Sequence, residues 1–481
     1  MSWLLAGAVG LVAVALRAGP VLSGAGLTAL YRYDSGVYFA AAVALHEGFV
    51  PYRDFLLLHP PGILLALAPF AALASSLGDQ GAMVAARVSF MVLGGLTAAL
   101  ICHLLRSYGW VAALIGGLFY AGYGPAVYVE RSTGLEALAS FLTVAGLCLL
   151  MPGLRGRRRV GWLVAAGAML GLTVTVKIWG VVTVLTVLVW LLVGRRVRAA
   201  LWVGAGAAAS SVLVLLPFFL VAPDAMWRML VLDQVGRPRS GQTLVARMYD
   251  VVGLVELRTD QWTIALVAAL AVLVAALVVA LMDDLGRLAC IGVAVGLLVL
   301  LNGPSWFRGY PVLIAPFLAL GVGVASGVLR EHLPRAGWIA VASGFLLATT
   351  AAGALQLRDD ISQPFDGREL ARIASERPGC VTVDDPSALI ASGLLSRNLA
   401  NGCPVVVDLS GYQYHVAEGG PVGTGNAAWQ RFTLDYLGSG KSTLLLRSTI
   451  RGWLSADSLA TIKSWPVIGR VSGANVREPV R

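Results

Sequence analysis

Residues Tyr31 to Gly62, reading YRYDSGVYFAAAVALHEGFVPYRDFLLLHPPG, gather ionisable and aromatic side chains in a chain that is otherwise mostly aliphatic. Carboxylates (Asp34, Glu47, Asp54) sit among bases (Arg32, His46, Arg53, His59) and aromatics (Tyr31, Tyr33, Tyr38, Tyr52, Phe55). Asp34 follows the first apolar run by about a dozen residues, where an ionised carboxylate can stay near water yet face a membrane-embedded cavity. A carboxylate so placed can take the proton of an acceptor hydroxyl, provided it has hydrogen-bond reach and a pKa near working conditions. The competing reading of such a residue is a solvated loop carboxylate or a helix cap.

The elements that must position this stretch are apolar. Over 481 residues, 58% are hydrophobic and 13% charged, and the mean hydropathy is +0.78. Many apolar runs approach or exceed the roughly 20 residues that cross a bilayer. The expected fold class is a polytopic α-helical membrane protein. The net charge of +10 does not point to nucleic acid, because much of the arginine falls in short clusters between apolar runs, as the positive-inside rule requires. Three lysines, Lys177, Lys441 and Lys463, stand among 36 basic residues, a composition that fits a GC-rich bacterial genome. The N-terminal MSWLLAGAVGLVAVALRAGP has no basic leader region, so it reads as a retained first span.

The run Gly62–Leu77 is short for a crossing and contains Pro69. If it lies at the interface and the N-terminus is inside, the basic segments Arg155–Arg159 and Arg195–Arg198 fall inside; if it crosses, both fall outside. The non-crossing reading follows. Further spans are expected near 83–105, 111–128, 134–152, 160–178, 179–194, 199–221, 262–282, 287–303, 310–328 and 336–356, about eleven in total with the first. On that topology the 23–82 region, the Val129–Gly134 loop, the Lys177 turn, the Asp224–Asp260 loop and Asn302–Tyr310 share the outer side. Asp283, Asp284 and Arg330–Arg335 lie inside.

From Leu357 the composition changes. The expected division is a transmembrane part, 1–356, with its active-site loop at 23–82, and an extracytoplasmic α/β domain, 357–481. Strand-like runs (Cys380–Val383, Pro404–Val407, Thr443–Leu446) alternate with helix-like ones (Ser387–Leu395, Ala427–Leu437). Cys102, Cys148 and Cys290 lie in apolar spans and read as small core residues. Cys380 and Cys403 open two of the expected strands in a compartment that permits disulfides, and the sequence leaves open whether they pair. The segment GSGKST, Gly438–Thr443, is not a phosphate-binding loop. The pattern needs a glycine where Asp435 stands, and it should join a strand to a following helix, whereas here a helix precedes and a strand follows. It reads as a loop after a helix C-cap glycine.

The ordered set D-S-G-x-Y (Asp34 to Tyr38), HEG (His46–Gly48), PYRDF (Pro51–Phe55) and HPPG (His59–Gly62) resembles the GT-C glycosyltransferases, in particular the bacterial protein-mannosyltransferase-like and aminoarabinose-transferase-like branch. The resemblance covers about 31–180. It implies an integral membrane enzyme that moves a sugar from a polyprenyl-phosphate carrier to an outer-face acceptor, which is a glycan, a lipid or a protein. Asp34 falls where that family has its catalytic aspartate. The family also has interfacial structure after its HPP segment.

Other residues take their expected roles from that resemblance and from their settings. Lys177, in LTVTVKIWG, interrupts an apolar run, and an intramembrane cation is a functional hypothesis by default; its alternative is snorkelling to the interface. Lys177, Arg131 and Arg308 are expected to hold the donor phosphate, neutralising the charge of the leaving group. Arg308 and Tyr310, in GPSWFRGYPVLIAPF, loosely resemble the family's late outer motif. His59, Asp54, Glu130, Tyr38 and Arg237 are expected to orient sugar or acceptor. The 224–260 loop, with Arg228, Arg237, Arg239, Arg247 and Arg258, reads as an amphipathic lid with Trp227 and Met229 on its apolar face, or as a plain surface helix on the lipid. Asp34, Asp54 and Glu130 are the carboxylates that would converge on a divalent metal, although their spacing does not demand one. The expected setting is the bacterial plasma membrane. The rival class is a non-catalytic polyprenyl-lipid transporter or flippase, which would show half-to-half repeats and polar groups near the bilayer midplane; neither is evident here.

Overall fold

The computed structural model describes residues 3–155, 159–239, 241–254, 263–356, 362–417 and 420–480. It divides into two compact units, each built on its own logic.

The first unit comprises Met1–Ser23, Val88–Val214 and Arg239–Asp360 and is helical. Across the described residues of the whole chain, 7 helices are long and apolar enough to cross a membrane, and up to 8 if one bent pair is a single span. That pair, Trp110–Gly122 and Gly124–Glu130, turns by 58°, where the sequence suggested one continuous span over 111–128. Small residues let helices meet backbone to backbone: a Cβ at Gly167 would lie 2.1 Å from the Val203 carbonyl oxygen, and one at Gly206 would lie 2.2 Å from that of Val164. Close backbone approach of this kind replaces the hydrophobic driving force that lipid cannot supply. The apolar run 160–194 is broken at Lys177. One helix ends at Val176 and the next begins at Gly180; a Cβ on Gly180 would lie 2.3 Å from the Thr173 carbonyl carbon, so only glycine closes this turn.

The second unit comprises Gly24–Arg87, Leu215–Pro238 and Ile361–Arg481. Its centre is the Tyr33–His46 helix, whose residues Ser35 to Ala44 are all buried. The run of alanines gives a thin helix that neighbours can approach on every side. It packs on the Gly62–Ala72 helix and on the short tail helix Pro386–Ala391. At the latter contact a Cβ on Gly36 would lie 2.1 Å from Ser387 Oγ, which gives the glycine of D-S-G-x-Y a packing reason. The helix ends at His46, and Gly48 follows with φ +94°. The Gly62–Ala72 helix has 11 residues, about 16 Å of rise against a hydrocarbon core of about 30 Å. Leu73 breaks it from the Ala74–Leu104 helix.

The tail carries a four-stranded mixed sheet in the order β1-β2-β4-β3, where β1 is Val381–Val383, β2 Ser442–Leu444, β3 Val467–Val471 and β4 Ala474–Arg477. β1 and β2 pair in parallel, and the other two pairs are antiparallel. Trp429, Leu437, Ile450 and Trp465 belong to its apolar core. Cys380 and Cys403 form a disulfide with their Cα atoms 5.6 Å apart, closing the loop from β1 to the end of the Leu395–Ala400 helix.

Several local expectations are corrected. Pro404–Val407 is not a strand; its proline lacks the donor that a ladder needs. The helix-like run Ser387–Leu395 is two helices, Pro386–Ala391 and Leu395–Ala400, separated at Gly393 with φ +66°. β3 and β4 went unrecognised because VIGRV and ANVR carry too little apolar alternation. At GSGKST the Ala427–Gly438 helix precedes and β2 follows. The cap is Ser439 with φ −76°, not a left-handed glycine.

Candidate active site

Asp34 lies in the first turn of the Tyr33–His46 helix, and its side chain is 52% exposed, with Arg32 Nη2 at 3.8 Å. An otherwise buried helix therefore presents one carboxylate to water at its N-terminus. The residue before it is clamped by the tail. The Tyr33 hydroxyl donates to Asp408 Oδ1 at 2.9 Å, and the Arg447 guanidinium covers its ring at 3.8 Å. Asp408 Oδ1 also accepts from the Gly411 amide at 2.8 Å, so the pin on the Tyr33–His46 helix is itself anchored in backbone.

The PYRDF turn uses its polar groups on itself. Tyr52 sits at φ +70°, a strained position for a residue with a side chain. It is held by its amide to the Phe55 carbonyl at 3.0 Å and its hydroxyl to the His59 carbonyl at 2.8 Å. Asp54 accepts from the Val50 amide at 2.6 Å and from both Arg53 nitrogens at 2.8 Å. The Arg53 hydrogen bond holds its carboxyl below the usual range. Tyr38 is buried and meets the His59 ring edge-on, with centroids 5.7 Å apart.

The Leu215–Pro238 segment does not carry the expected apolar face. Met229 is buried and Trp227 is 57% exposed, so the two point different ways. Asp233 accepts from His415 at 2.8 Å, and Arg228 donates to the His415 carbonyl at 2.7 Å. Arg237 stacks over the Tyr414 ring at 4.7 Å. Arg247 belongs to the other unit, buried, with Nη1 on the Leu301 carbonyl at 3.1 Å and its guanidinium over Trp306 at 5.2 Å. Arg239 is exposed, and Arg258 lies outside the described residues.

In the first unit Lys177 is buried at the helix break. Its Nζ donates to Glu136 Oε1 at 2.7 Å and lies 4.5 Å and 4.3 Å from the ring centroids of Trp179 and Tyr310. All four residues line one small pocket. Lys177 is therefore a buried cation set between two aromatic rings and paired with Glu136. Arg131 is buried directly after the Gly124–Glu130 helix, and Arg308 stacks over Tyr128 at 4.7 Å. Glu130 is fully buried, with both oxygens taken: Arg17 pairs with one, and the Tyr120 hydroxyl donates to the other at 2.6 Å. Its contacts are those of a packing group. Among the described residues no group of three or more His, Cys, Asp or Glu is placed to hold a metal ion.

Four residues were missed. Arg17, within the first span, carried a legible signal, because an intramembrane arginine demands a partner. Glu136, in the first turn of an apolar helix, carried the same signal. Asp408 and Arg447 lie in the tail, and nothing in their local sequence ties them to Tyr33.

The tail also places buried carboxylates behind Arg447. Asp384 accepts from the Leu446 and Arg447 amides at 2.6 Å and 2.7 Å. Burial pushes it up to about 7, and burial moves Asp385 and Asp408 in the same direction. In the unfolded chain an aspartate titrates near about 4. Between about pH 4 and 7 the folded state therefore holds a proton that the unfolded state has lost, so this contribution is fully present below about 4 and is lost as pH rises through 7. Asp384→Asn is expected to flatten the fall in thermal midpoint between pH 4.5 and 7.5; an unchanged slope places the titration elsewhere.

The fold that these elements build is shared along its length with solved structures. The chain matches the structure of ArnT from Cupriavidus metallidurans bound to undecaprenyl phosphate at TM-score 0.61 and 16% identity, over 99% of this chain and 98% of that one. Its apo state matches at TM-score 0.60 and 17% identity, over 98% and 96% of the two chains. The Archaeoglobus fulgidus oligosaccharyltransferase tethered with an acceptor peptide matches at 0.59 and 13%, over 92% of this chain and 68% of that one. At these identities the likeness is one of fold. No protein-family model matches the sequence, and no curated protein matches it at significance.

Proposed function

We propose that the chain is a GT-C glycosyltransferase that moves a sugar from a polyprenyl-phosphate carrier to a hydroxyl of an extracytoplasmic glycan, lipid or protein. The observation that carries this reading is Asp34, exposed at the N-terminus of a buried helix in a fold shared along its full length with a protein solved bound to undecaprenyl phosphate. Asp34 takes the acceptor proton, and the acceptor oxygen forms a bond to the anomeric carbon. The bond from that carbon to the phosphate oxygen breaks, and polyprenyl phosphate leaves with the electron pair. Lys177, Arg131 and Arg308 hold the phosphate. Tyr38, His59 and Arg237 shape the sugar or acceptor site, while Asp54 and Glu130 act through the turn and the helix junction they hold. The chain spans the plasma membrane about eleven times, with 62–77 at the interface. The site and the 357–481 domain face outward, and 1–356 carries the chemistry.

The direct test is transfer of radiolabelled sugar from a panel of polyprenyl-phosphate sugars to membrane acceptors. Transfer with one donor supports the reading. Donor binding without transfer to any acceptor turns it toward a lipid flippase. A narrower expectation concerns Lys177: a charge-assisted contact is worth about 1.5–3 kcal/mol, so Lys177→Met should raise the KM for donor by about 10- to 100-fold with a smaller effect of acceptor concentration. An unchanged donor KM removes Lys177 from the phosphate site.

A further inference from the structure

Against the Tyr33 side chain the second unit holds a cavity of about 550 Å³, which is within the size range of small-molecule sites. Its wall includes Tyr33, Asp385, Arg447, Ser448, Thr449 and Arg451. The chemistry is that of a saccharide site, with hydroxyls, carboxylate and guanidinium forks in place of a continuous apolar surface. The two arginines are differently committed. Arg447 is fixed, its ring contact on Tyr33 and its amide on Asp384 holding it from both ends. Arg451 is exposed, and its one side-chain hydrogen bond among the described residues is Nη2 to the Leu446 carbonyl at 3.2 Å. Most of its five donors are uncommitted. The carboxylate on this wall does not cancel them, because Asp385 already accepts from the Ser387 amide at 2.9 Å as a helix cap, and burial moves it toward its neutral form.

We propose that this cavity is an acceptor subsite for an acidic saccharide, a sugar unit bearing a carboxylate or phosphate that Arg451 and Arg447 grip while its hydroxyls meet Ser448 and Thr449. The proposal rests on the transferase reading and deepens it. Tyr33, which lines the cavity, directly precedes Asp34, so an anion seated there sets the neighbouring sugar beside the base. A fork of paired donors favours planar oxyanions over neutral hydroxyls, and this makes the subsite a specificity element in the acceptor.

The test is calorimetric binding to the purified full-length protein, with a uronic-acid disaccharide, a hexose phosphate, the corresponding neutral disaccharide and inorganic phosphate as probes. One acidic sugar should bind at least about 10-fold tighter than the neutral disaccharide, the worth of a charge-assisted hydrogen bond; which of the two does so identifies the anion. Arg451→Ala should abolish the preference with its thermal midpoint kept, and Arg451→Lys should retain part of it. Equal binding of the neutral disaccharide, or a preference that survives Arg451→Ala, overturns the proposal. Inorganic phosphate binding as tightly as the acidic sugars overturns the saccharide half. Binding needs neither donor nor turnover, so the two readings fail separately. Acidic preference in Asp34→Asn without any transfer in the wild type would sink the transferase and keep the subsite. Transfer without acidic preference would do the reverse.

Discussion

Asp34→Asn is expected to lower sugar transfer by about 10²- to 10⁴-fold, the range that a positioned general base contributes, while leaving donor binding and the thermal midpoint near wild type. The separation is physical. Asp34 is 52% exposed and its nearest ionic contact is Arg32 at 3.8 Å, a surface pair of a kind worth little to stability. The helix that carries it is held by other groups: by Gly36 against the tail helix, and by Tyr33 through Asp408. An Asn at 34 keeps the size and loses only the basicity. Transfer by Asp34→Asn at the wild-type rate would remove this residue as the base. Collapse of the thermal midpoint would make it a structural residue instead.

The second large effect concerns Glu130, and it falls on stability. Glu130 and Arg17 are fully buried and paired, with Tyr120 completing the cluster. Arg17 Nη1 also donates to the carbonyls of Ala13 at 2.8 Å and Ala121 at 3.0 Å. Removing one partner of such a pair leaves an uncompensated charge in low dielectric and costs about 3–5 kcal/mol, whereas replacing both with apolar groups is often neutral. Glu130→Ala is therefore expected to lower the thermal midpoint sharply and to reduce folded protein in the membrane. Arg17→Met with Glu130→Leu should recover most of that loss. If Glu130→Ala leaves the midpoint intact and reduces transfer alone, the residue belongs to substrate and not to packing.

The two cases show why polar residues in one neighbourhood of the sequence part ways. In YVERSTGLEA, Glu130 and Glu136 look alike. One is consumed by Arg17 from the first span, 113 positions away, and the other meets Lys177 from a later helix. In PYRDF, Asp54 reads as a substrate-orienting residue, and its oxygens accept from the Val50 amide and the Arg53 side chain of the same turn. The sequence announces that a charge in an apolar setting needs a partner, and it does not say which.

What the sequence by itself determined is the class: long apolar runs admit only helices in lipid, because every backbone amide must be satisfied within the segment. It also located the charged stretch around Asp34, the break at Lys177 and the change of composition at 357. Tertiary structure alone decided the rest. The tail's Asp408 and Arg447 clamp Tyr33, Glu136 and Tyr310 come to Lys177, and Cys380 finds Cys403. These pairings join residues from separate segments, and local periodicity encodes which face a residue takes within its own element, not what comes to meet it.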